Sequence, residues 1–334
     1  MVRVVQTNSN NPYYNLALEE VLFRHCEKTK EFILYLWQND NTIVIGRNQT
    51  VYTECNISYA KSHNVKIARR MTGGGAVYHD LGNLNYSIIV PKEHYNRSKS
   101  TQVILNALHM GGVEAIANGR NDILLNEKKI SGNAYYSTQG AGLHHGTLLV
   151  DSNLSKMELL LNVRGSKVSK AGIVSIKSRV ANINETHKIG LEKLKETIIV
   201  SFIKNYCMDG NVLYGYDEIR KDSIDEIIKM YSSEEWIMNQ VAEYSLVVAE
   251  KYEWGMATIS CELAGNSKKV YSIISDSLYP DIIKKIENLF NKEDSDYSIN
   301  FDLLIEEEKK IISDLYDLRL KLQSQIEGVS NEKN

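Results

Sequence analysis

The sequence predicts an α+β fold: a mixed sheet with flanking helices, followed by a small α+β C-terminal accessory domain. Three observations carry this reading. Short β-branched and aromatic runs mix with helical ones, without the regular strand–helix–strand alternation of a doubly wound sheet. The 334 residues exceed one core of ordinary size, so two domains are expected. The character of the chain changes near residue 246, which places the domains at 1–245 and 246–334.

The elements follow in chain order. "NLALEEVLFRHCEK" (15–28) sets Leu16, Ala17, Leu18, Val21 and Leu22 along a helical face, with Asn15 read as the N-cap. "EFILYLWQ" (31–38) and "TIVIGR" (42–47) read as strands joined by a turn at "NDN". "VKIARRM" (65–71) enters a glycine run as a strand, and "LNYSIIV" (84–90) leaves it as another. "STQVILNALHMGGVEAIANG" (100–119) reads as mostly helical, ending near Gly119. "DILLNEKKIS" (122–131) reads as a hairpin turning at Asn126-Glu127, "HHGTLLV" (144–150) as a strand and "LSKMELLLNV" (154–163) as a short helix. Helices are expected near 189–207 and 217–231, with the helices on one side of the sheet. Beyond 246, three alternating runs precede the helical "DIIKKIENLF" (281–290) and a long charged amphipathic run from 301; the tail from 327 is expected to fray.

Composition narrows the function classes. Apolar residues are 43% and charged residues 24% of the chain, the profile of a soluble globular protein. A net charge of −3 gives no global pull toward nucleic acid or an anionic membrane. No run reaches the length needed to cross a bilayer. Four scattered cysteines without a Cys-x-x-Cys pair argue against zinc and for a reducing cytoplasm. The start of the chain lacks the apolar stretch of a secretion signal.

The chemistry concentrates in "RRMTGGGAVYHDLGNLN" (69–85). Three consecutive glycines, Gly73, Gly74 and Gly75, permit positive φ and a close approach of main chain to ligand. Their N–H groups can converge on an anion. Arg69 and Arg70 beside them add donors suited to carboxylate or phosphate. The competing reading is a glycine-rich turn with surface arginines. No G-x-x-x-x-G-K-[ST] and no local G-x-G-x-x-G is present, so a bound nucleotide would use another scaffold. A second cluster, "GRNDILLNEKKISGNA" (119–134), holds Asn121, Asp122, Lys128 and Lys129. Lys128 fits a charged hairpin tip. Lys129, beside Ile130 and on the other side of the strand, has the better case for phosphate, and Asp122 for Mg²⁺. His144 and His145 are adjacent on a strand, so they point to opposite faces and cannot share a metal.

Together "NPYYNLALEE", "IVIGRNQ", the glycine segment, "GRNDILLNEKKISGNA", "HHGTLLVD" and "IKSRVANI" resemble the lipoate–protein ligases. The more distant biotin–protein ligases share the Asn-Asp pair followed by a lysine. The agreement spans roughly residues 10–185. The resemblance implies an enzyme of the biotin/lipoate ligase fold. Such an enzyme activates lipoate with ATP and Mg²⁺ to lipoyl-AMP. It then passes the lipoyl group to a lysine on lipoyl domains of 2-oxoacid dehydrogenases, or on the H protein of glycine cleavage. It implies Lys129 as the central catalytic residue and Arg70 in the lipoate-binding loop. Gly73, Gly74, Gly75, Ala76, Val77 and Tyr78 would line the nucleotide. Asn83, Asn121 and Asp122 would contact ATP or Mg²⁺. His79, His145 and Gly146 would line the site, and Lys177 and Arg179 belong to a loop folding over the adenylate. The chain departs from the pattern after Trp236, where "IMNQ" replaces an expected glycine. A monomer is expected. Two other readings remain: an acyltransferase using a cysteine, with Cys55 its nearest candidate, and a non-enzymatic lipoate- or adenylate-binding protein.

Overall fold

The computed structural model describes residues 1–118, 121–161, 180–207, 210–216, 219, 224–238, 246–264, 268–291 and 304–331. The chain forms two compact units. The first comprises Met1–Ile45, Val51–Met71 and Ala76–Ile237; the second comprises Gly46–Thr50, Thr72–Gly75 and Met238–Asn334.

In the first unit, strand β1 (Val2–Gln6) leads into helix α1 (Pro12–Thr29), then β2 (Phe32–Trp37) and β3 (Thr42–Ile45). Helices α2 (Val51–Glu54) and α3 (Ile57–Ser62) precede β4 (Lys66–Arg69), β5 (Val77–His79) and β6 (Asn83–Pro91). Next come α4 (Arg97–Met110), β7 (Ile116–Asn118), β8 (Asp122–Leu125), β9 (Lys128–Ser137) and β10 (Ala141–Leu149). Helices α5 (Leu154–Leu160) and α6 (Leu191–Tyr206), strand β11 (Val212–Tyr214), and helices α7 (Ile224–Ser232) and α8 (Glu234–Met238) follow.

Eight strands form one mixed sheet in the order β11-β1-β2-β6-β10-β9-β8-β7. Its β11, β1 and β2 run parallel; the remaining pairs are antiparallel. A smaller sheet has the order β4-β3-β5. β2 and β3, adjacent in sequence, therefore lie in different sheets.

The strand period of two decides the layering. On β2, Leu34 and Leu36 join a core with Val103, Ile104 and Leu108 of α4 and Ile198 and Phe202 of α6. Their neighbours Ile33, Tyr35 and Trp37 join another core with Leu18, Leu22 and Cys26 of α1 and Ile227 and Tyr231 of α7. Helices thus cover both faces, not one side as the sequence reading has it. Both sets of alternate β2 residues are apolar, so each face must be buried.

Two local expectations are also corrected. The N-cap of α1 is Asn11, which accepts from Tyr13 N at 3.1 Å, and Pro12 occupies the first helical position. Asn15 is inside the helix and fully buried. Helix α4 stops at Met110, well before Gly119. Gly112 adopts φ +79° and turns the chain toward β7.

The second unit is a three-stranded antiparallel sheet, β12 (Leu246–Tyr252), β13 (Gly255–Ala264) and β14 (Lys268–Ser275), with α9 (Pro280–Asn291) and α10 (Glu306–Asn331). Ile259 and Ile273 of the sheet pack with Ile286 and Phe290 of α9 and Leu315 and Leu318 of α10. No described helix is long and apolar enough to cross a membrane.

Phe202 is fully buried between α6 and the sheet. Phe202→Ala is expected to lower unfolding stability by about 3–5 kcal/mol, read as a fall in the urea midpoint at unchanged slope.

Candidate active site

The β8–β9 hairpin turns through Asn126 at φ 49° and Glu127 at φ 64°. Positive φ at both central positions is the geometry of a two-residue I′ turn. Ile123 pairs with Ser131, but Leu124 pairs with Lys129, so the register slips between them. A slip of this kind re-aims side chains. It turns Lys129 onto the face shared by Asp122 and Gly132. There Lys129 Nζ lies 2.7 Å from Asp122 Oδ1, with the side chains 32% and 28% exposed. A β-carbon on Gly132 would stand 3.1 Å from Lys129 Cε and Nζ. Gly132 therefore leaves the room in which the lysine lies. The Lys129 carbonyl accepts from Ala181 N at 3.0 Å. Lys128 lies 4.0 Å from a half-exposed Glu185.

Register extends this face across the sheet. The Gly132 N–H donates to Thr147 Oγ1 at 3.2 Å, Thr147 pairs with Asn85, and His145 pairs with Ser87. Above Ser87 and His145 stands the fully buried carboxylate of Glu19, from α1. It accepts from Ser87 Oγ and from His145 Nδ1, the latter 2.9 and 3.1 Å from its two oxygens. Ser87 Oγ in turn accepts from Trp37 Nε1 at 3.1 Å. The Asn83 amide donates to Asn85 Oδ1 at 3.0 Å, which leaves Asn83 Oδ1 and Asn85 Nδ2 buried without partners among the described residues.

The two arginines separate. Arg69 donates to the carbonyls of Trp236 and Ile237 at 2.8 and 2.7 Å, and Trp236 Nε1 donates back to Arg69 O at 2.9 Å. Arg69 is thus a structural clamp on α8. Arg70 Nη1 donates to Val44 O at 3.2 Å. Burial pulls its guanidinium down to about 10, against the pull of Glu19. His79 is fully enclosed, and burial, Arg70 and His145 push its imidazole down to about 3. Asn39 Nδ2 lies 3.1 Å from its Nδ1.

On the opposite face, His144 Nδ1 meets Ser100 Oγ and Nε2 meets Asn133 Oδ1, both at 2.9 Å. Gly146 belongs to this side. A β-carbon there would come within 2.4 Å of Asn133 Oδ1 and 2.5 Å of the Tyr86 hydroxyl, so packing already requires glycine. Asn121 exchanges hydrogen bonds with Asn133 at 2.9, 3.0 and 3.2 Å. Val77 packs on the α1 core, whereas the Tyr78 hydroxyl donates to Asn41 Oδ1 at 3.3 Å. Ala76 is half-buried.

Gly73, Gly74 and Gly75 fall in the second unit. A β-carbon on Gly73 would lie 1.9 Å from Ser277 O, and the Gly74 N–H, at φ 91°, donates to that oxygen at 3.0 Å. Two of the three glycines thus serve a close backbone approach. Lys177 and Arg179 lie outside the described residues.

The structure brings Asp122 and Lys129 together, and separately sets Arg70 and His145 by Glu19, with His79 within the electrostatic reach of both. Sequence reasoning missed Glu19, Asn39, Asn85, Ser87 and Thr147. For Glu19 a signal exists: Asn15 and Glu19 stand at i and i+4 in line with Leu22 and Cys26, two polar side chains within an apolar stripe.

Residues 11–203 match the family model of the lipoyl protein ligase A/B catalytic domain. The chain is similar to Lipoate-protein ligase A of Blochmanniella pennsylvanica (strain BPEN), 36% identical over 289 residues that cover 84% of each protein. Its structure is similar to that of P. falciparum LipL1 in complex with lipoate, with a TM-score of 0.81, 28% identity and coverage of 96% of this chain and 100% of the other. A lipoate-protein ligase A bound with ATP aligns with a TM-score of 0.62, 27% identity and coverage of 72% and 98%. The bipartite lipoate protein ligase from Thermoplasma acidophilum, studied with its E2 lipoyl domain, gives 0.63, 28%, 73% and 98%.

His144, like His79, is held down to about 3, chiefly by burial. An unfolded histidine titrates near 6.5. Below about pH 6.5 the unfolded chain therefore binds protons that the native state refuses. Stability should fall with pH by up to about 1.4 kcal/mol per unit for each histidine. Urea midpoints measured from pH 7.5 to 4.5 should fall accordingly, and His144→Gln should make that dependence shallower.

Proposed function

The chain belongs to the lipoyl protein ligase A/B family, and we propose that it is an ATP-dependent lipoate–protein ligase. The observation that carries this is the partly exposed Lys129 ammonium, held by Asp122 over Gly132, on the sheet face that also carries Glu19's buried polar partners. In the first step a lipoate carboxylate oxygen bonds to the α-phosphorus of ATP, the bond to the leaving phosphate breaks, and pyrophosphate departs. In the second, the ε-amine of an acceptor lysine attacks the acyl carbon, AMP leaves and the amine loses a proton.

Neither step needs a covalent enzyme intermediate. Both need negative charge tolerated and reactants aligned, which fixed positive groups supply. Lys129 is assigned to the α-phosphate and acyl oxygens. Arg70 and His145 are assigned to the acyl substrate. Gly75, Ala76, Val77, Tyr78, Asn83 and Asn121 are assigned to the nucleotide, with Lys177 and Arg179 covering it. Gly73, Gly74 and Gly146 act through the backbone packing that their lack of a side chain permits.

A Mg²⁺ ion fits the donor set. One protein carboxylate plus nucleotide phosphates is its ordinary coordination, and Asp122 is a half-buried carboxylate beside the phosphate-directed lysine. Bound there, the ion would offset phosphate charge. The acceptors are lipoyl domains of 2-oxoacid dehydrogenases or the glycine cleavage H protein; the T. acidophilum relative studied with an E2 lipoyl domain supports the first. Residues 246–334 are read as the accessory domain, the protein as a monomer, and the setting as a cytoplasm, which four free cysteines suit.

The acyltransferase reading needs a thiolate. Burial pushes Cys26 and Cys55 up to about 12, and Cys261 is buried in the second unit's core. This disfavours Cys26, Cys55 and Cys261 as the nucleophile.

Lys129→Ala should cut lipoyl-AMP formation by about 10²–10³-fold, the scale of removing one electrostatic stabiliser, with an unchanged circular dichroism spectrum. Mass spectrometry of reactions with ATP, Mg²⁺, lipoate and apo H protein reads adenylate and lipoyl-lysine separately. Wild-type activity in the variant would refute the assignment.

A further inference from the structure

We propose that Asn39, oriented by Asn15, is a positioning residue that fixes His79 as a neutral Nε2–H donor to an anionic oxygen of the substrates. Donor and acceptor ends of each amide follow from the chain of contacts. Asn15 Nδ2 lies 2.8 Å from Ser9 O, 2.9 Å from Gln38 O and 3.0 Å from Asn39 Oδ1. Two of these are carbonyls, which only accept, so the Asn15 amide nitrogen must face them. Its two hydrogens serve three acceptors, so one is shared, and a second amide nitrogen 3.0 Å away would be repelled, which places the Asn39 oxygen there. Asn15 Oδ1 accepts the Tyr35 hydroxyl at 3.1 Å, which agrees. Asn39 Oδ1 is therefore an acceptor, and Asn39 Nδ2 is the donor that meets His79 Nδ1 at 3.1 Å. A nitrogen that accepts carries no proton. In a neutral imidazole the proton is then on Nε2.

That Nε2 is buried and has no partner among the described residues. An unsatisfied buried donor is costly, and native proteins keep few. His144 supplies the contrast within the same molecule: equally buried, it has both ring nitrogens bonded. A histidine serving only the core would be finished in that way. His79 instead lies with its ring 6.0 Å from that of Trp37, with Arg70 and His145 near enough to act on it electrostatically and Glu19 bonded to His145. Two neighbouring cationic or cation-forming groups favour an anion as the missing acceptor, and they also oppose a charge on His79 itself. The substrate carboxylate and an ATP phosphate share this chemistry. Naming them rests on the ligase reading; the tautomer does not.

Asn39→Asp tests the relay with little change in shape. An aspartate still accepts from Asn15, but it cannot donate to His79, so Nδ1 must carry a proton, and a ring that stays neutral then gives up the one on Nε2. The full chain, labelled with ¹⁵N-histidine and assigned by comparison with His79→Gln, should show His79 protonated at Nε2 only. Saturating lipoate alone, or ATP alone, should move the Nε2 resonance, and the ligand that does so identifies the acceptor. In Asn39→Asp the proton should appear on Nδ1, and lipoyl-AMP formation should drop about 10- to 100-fold, the loss expected of one charge-assisted hydrogen bond. His79→Gln, which retains an N–H donor, should keep more activity than His79→Leu. A wild-type proton on Nδ1, an Nε2 indifferent to both ligands, or full activity in Asn39→Asp would each overturn the proposal. Should Asn39→Asp not fold, equal losses in the Gln and Leu variants would overturn it instead. A wild-type protein that forms no lipoyl-AMP would refute the ligase reading while leaving the tautomer measurement to stand or fall alone.

Discussion

A carboxylate enclosed between a helix and a sheet has to be met by donors, and Glu19 imposes that demand on the whole α1 face. Its oxygens take the Ser87 hydroxyl and the His145 imidazole, and the Arg70 guanidinium lies close enough to feel its charge. Taking a charge out of water costs several kcal/mol unless geometry and hydrogen bonding repay it. Such a group is weak evidence for stability. It is a strong constraint on arrangement, because α1, β6 and β10 must keep their mutual positions for Glu19 to be satisfied. The other face of the same sheet is closed differently, by apolar packing of α4 and α6 around a fully bonded His144. Both sides of the sheet thus carry apolar cores, and on the α1 side Asn83 Oδ1 and Asn85 Nδ2 are buried without partners among the described residues.

Lys129 reaches the α1 side through a single irregularity. In an unbroken ladder it would share the face of Ser131. The register slip between Ile123 and Leu124 turns it over, and Gly132 leaves space for its side chain. The I′ turn at Asn126-Glu127 holds the hairpin in register at its tip. A lysine on a strand is more narrowly placed than one on a loop, since the ladder bonds on either side restrain its backbone.

Much of this was legible in the sequence, for physical reasons that can be named. The hairpin carries its own turn residues, the strands β2, β6 and β10 carry apolar runs, and the second domain shows three alternating segments. What escaped depended on tertiary context. The three-residue strands β5, β7 and β11 are too short to show a period. Asn15 has the composition of a cap, but Pro12 starts the helix earlier, and Asn15 is used inside. Adjacent arginines look alike in sequence; one clamps the carbonyls of α8 and the other bonds Val44 O within reach of Glu19's charge. The glycine run reads as an anion nest, yet Gly73 and Gly74 already meet the backbone of Ser277. Gly146 lies inside a family-like motif, and the Tyr86–Asn133 contact alone requires it. Glu19 is hidden because one acid in an amphipathic helix usually marks the solvent side.

The two close pairs on the α1 face differ in a way that fits a division of labour. Glu19 and His145 are sealed from solvent, so separating them would strand a buried charge, and they stay paired. Lys129 and Asp122 are each about a third exposed, where water screens the attraction and a pair contributes little to stability. Breaking such a pair is cheap. On the proposed assignment, an incoming phosphate would replace Asp122 beside the ammonium at small cost, and Asp122 would then be freed for a divalent cation or for water. Until then the carboxylate keeps the long lysine side chain from sampling other rotamers, which lowers the ordering cost of binding. In a chain of net charge −3, attraction for a polyanion cannot come from the surface as a whole. It has to come from a few cations held where the sheet aims them, and the weak pair holds its lysine ready while the sealed pair keeps the sheet and helix in place.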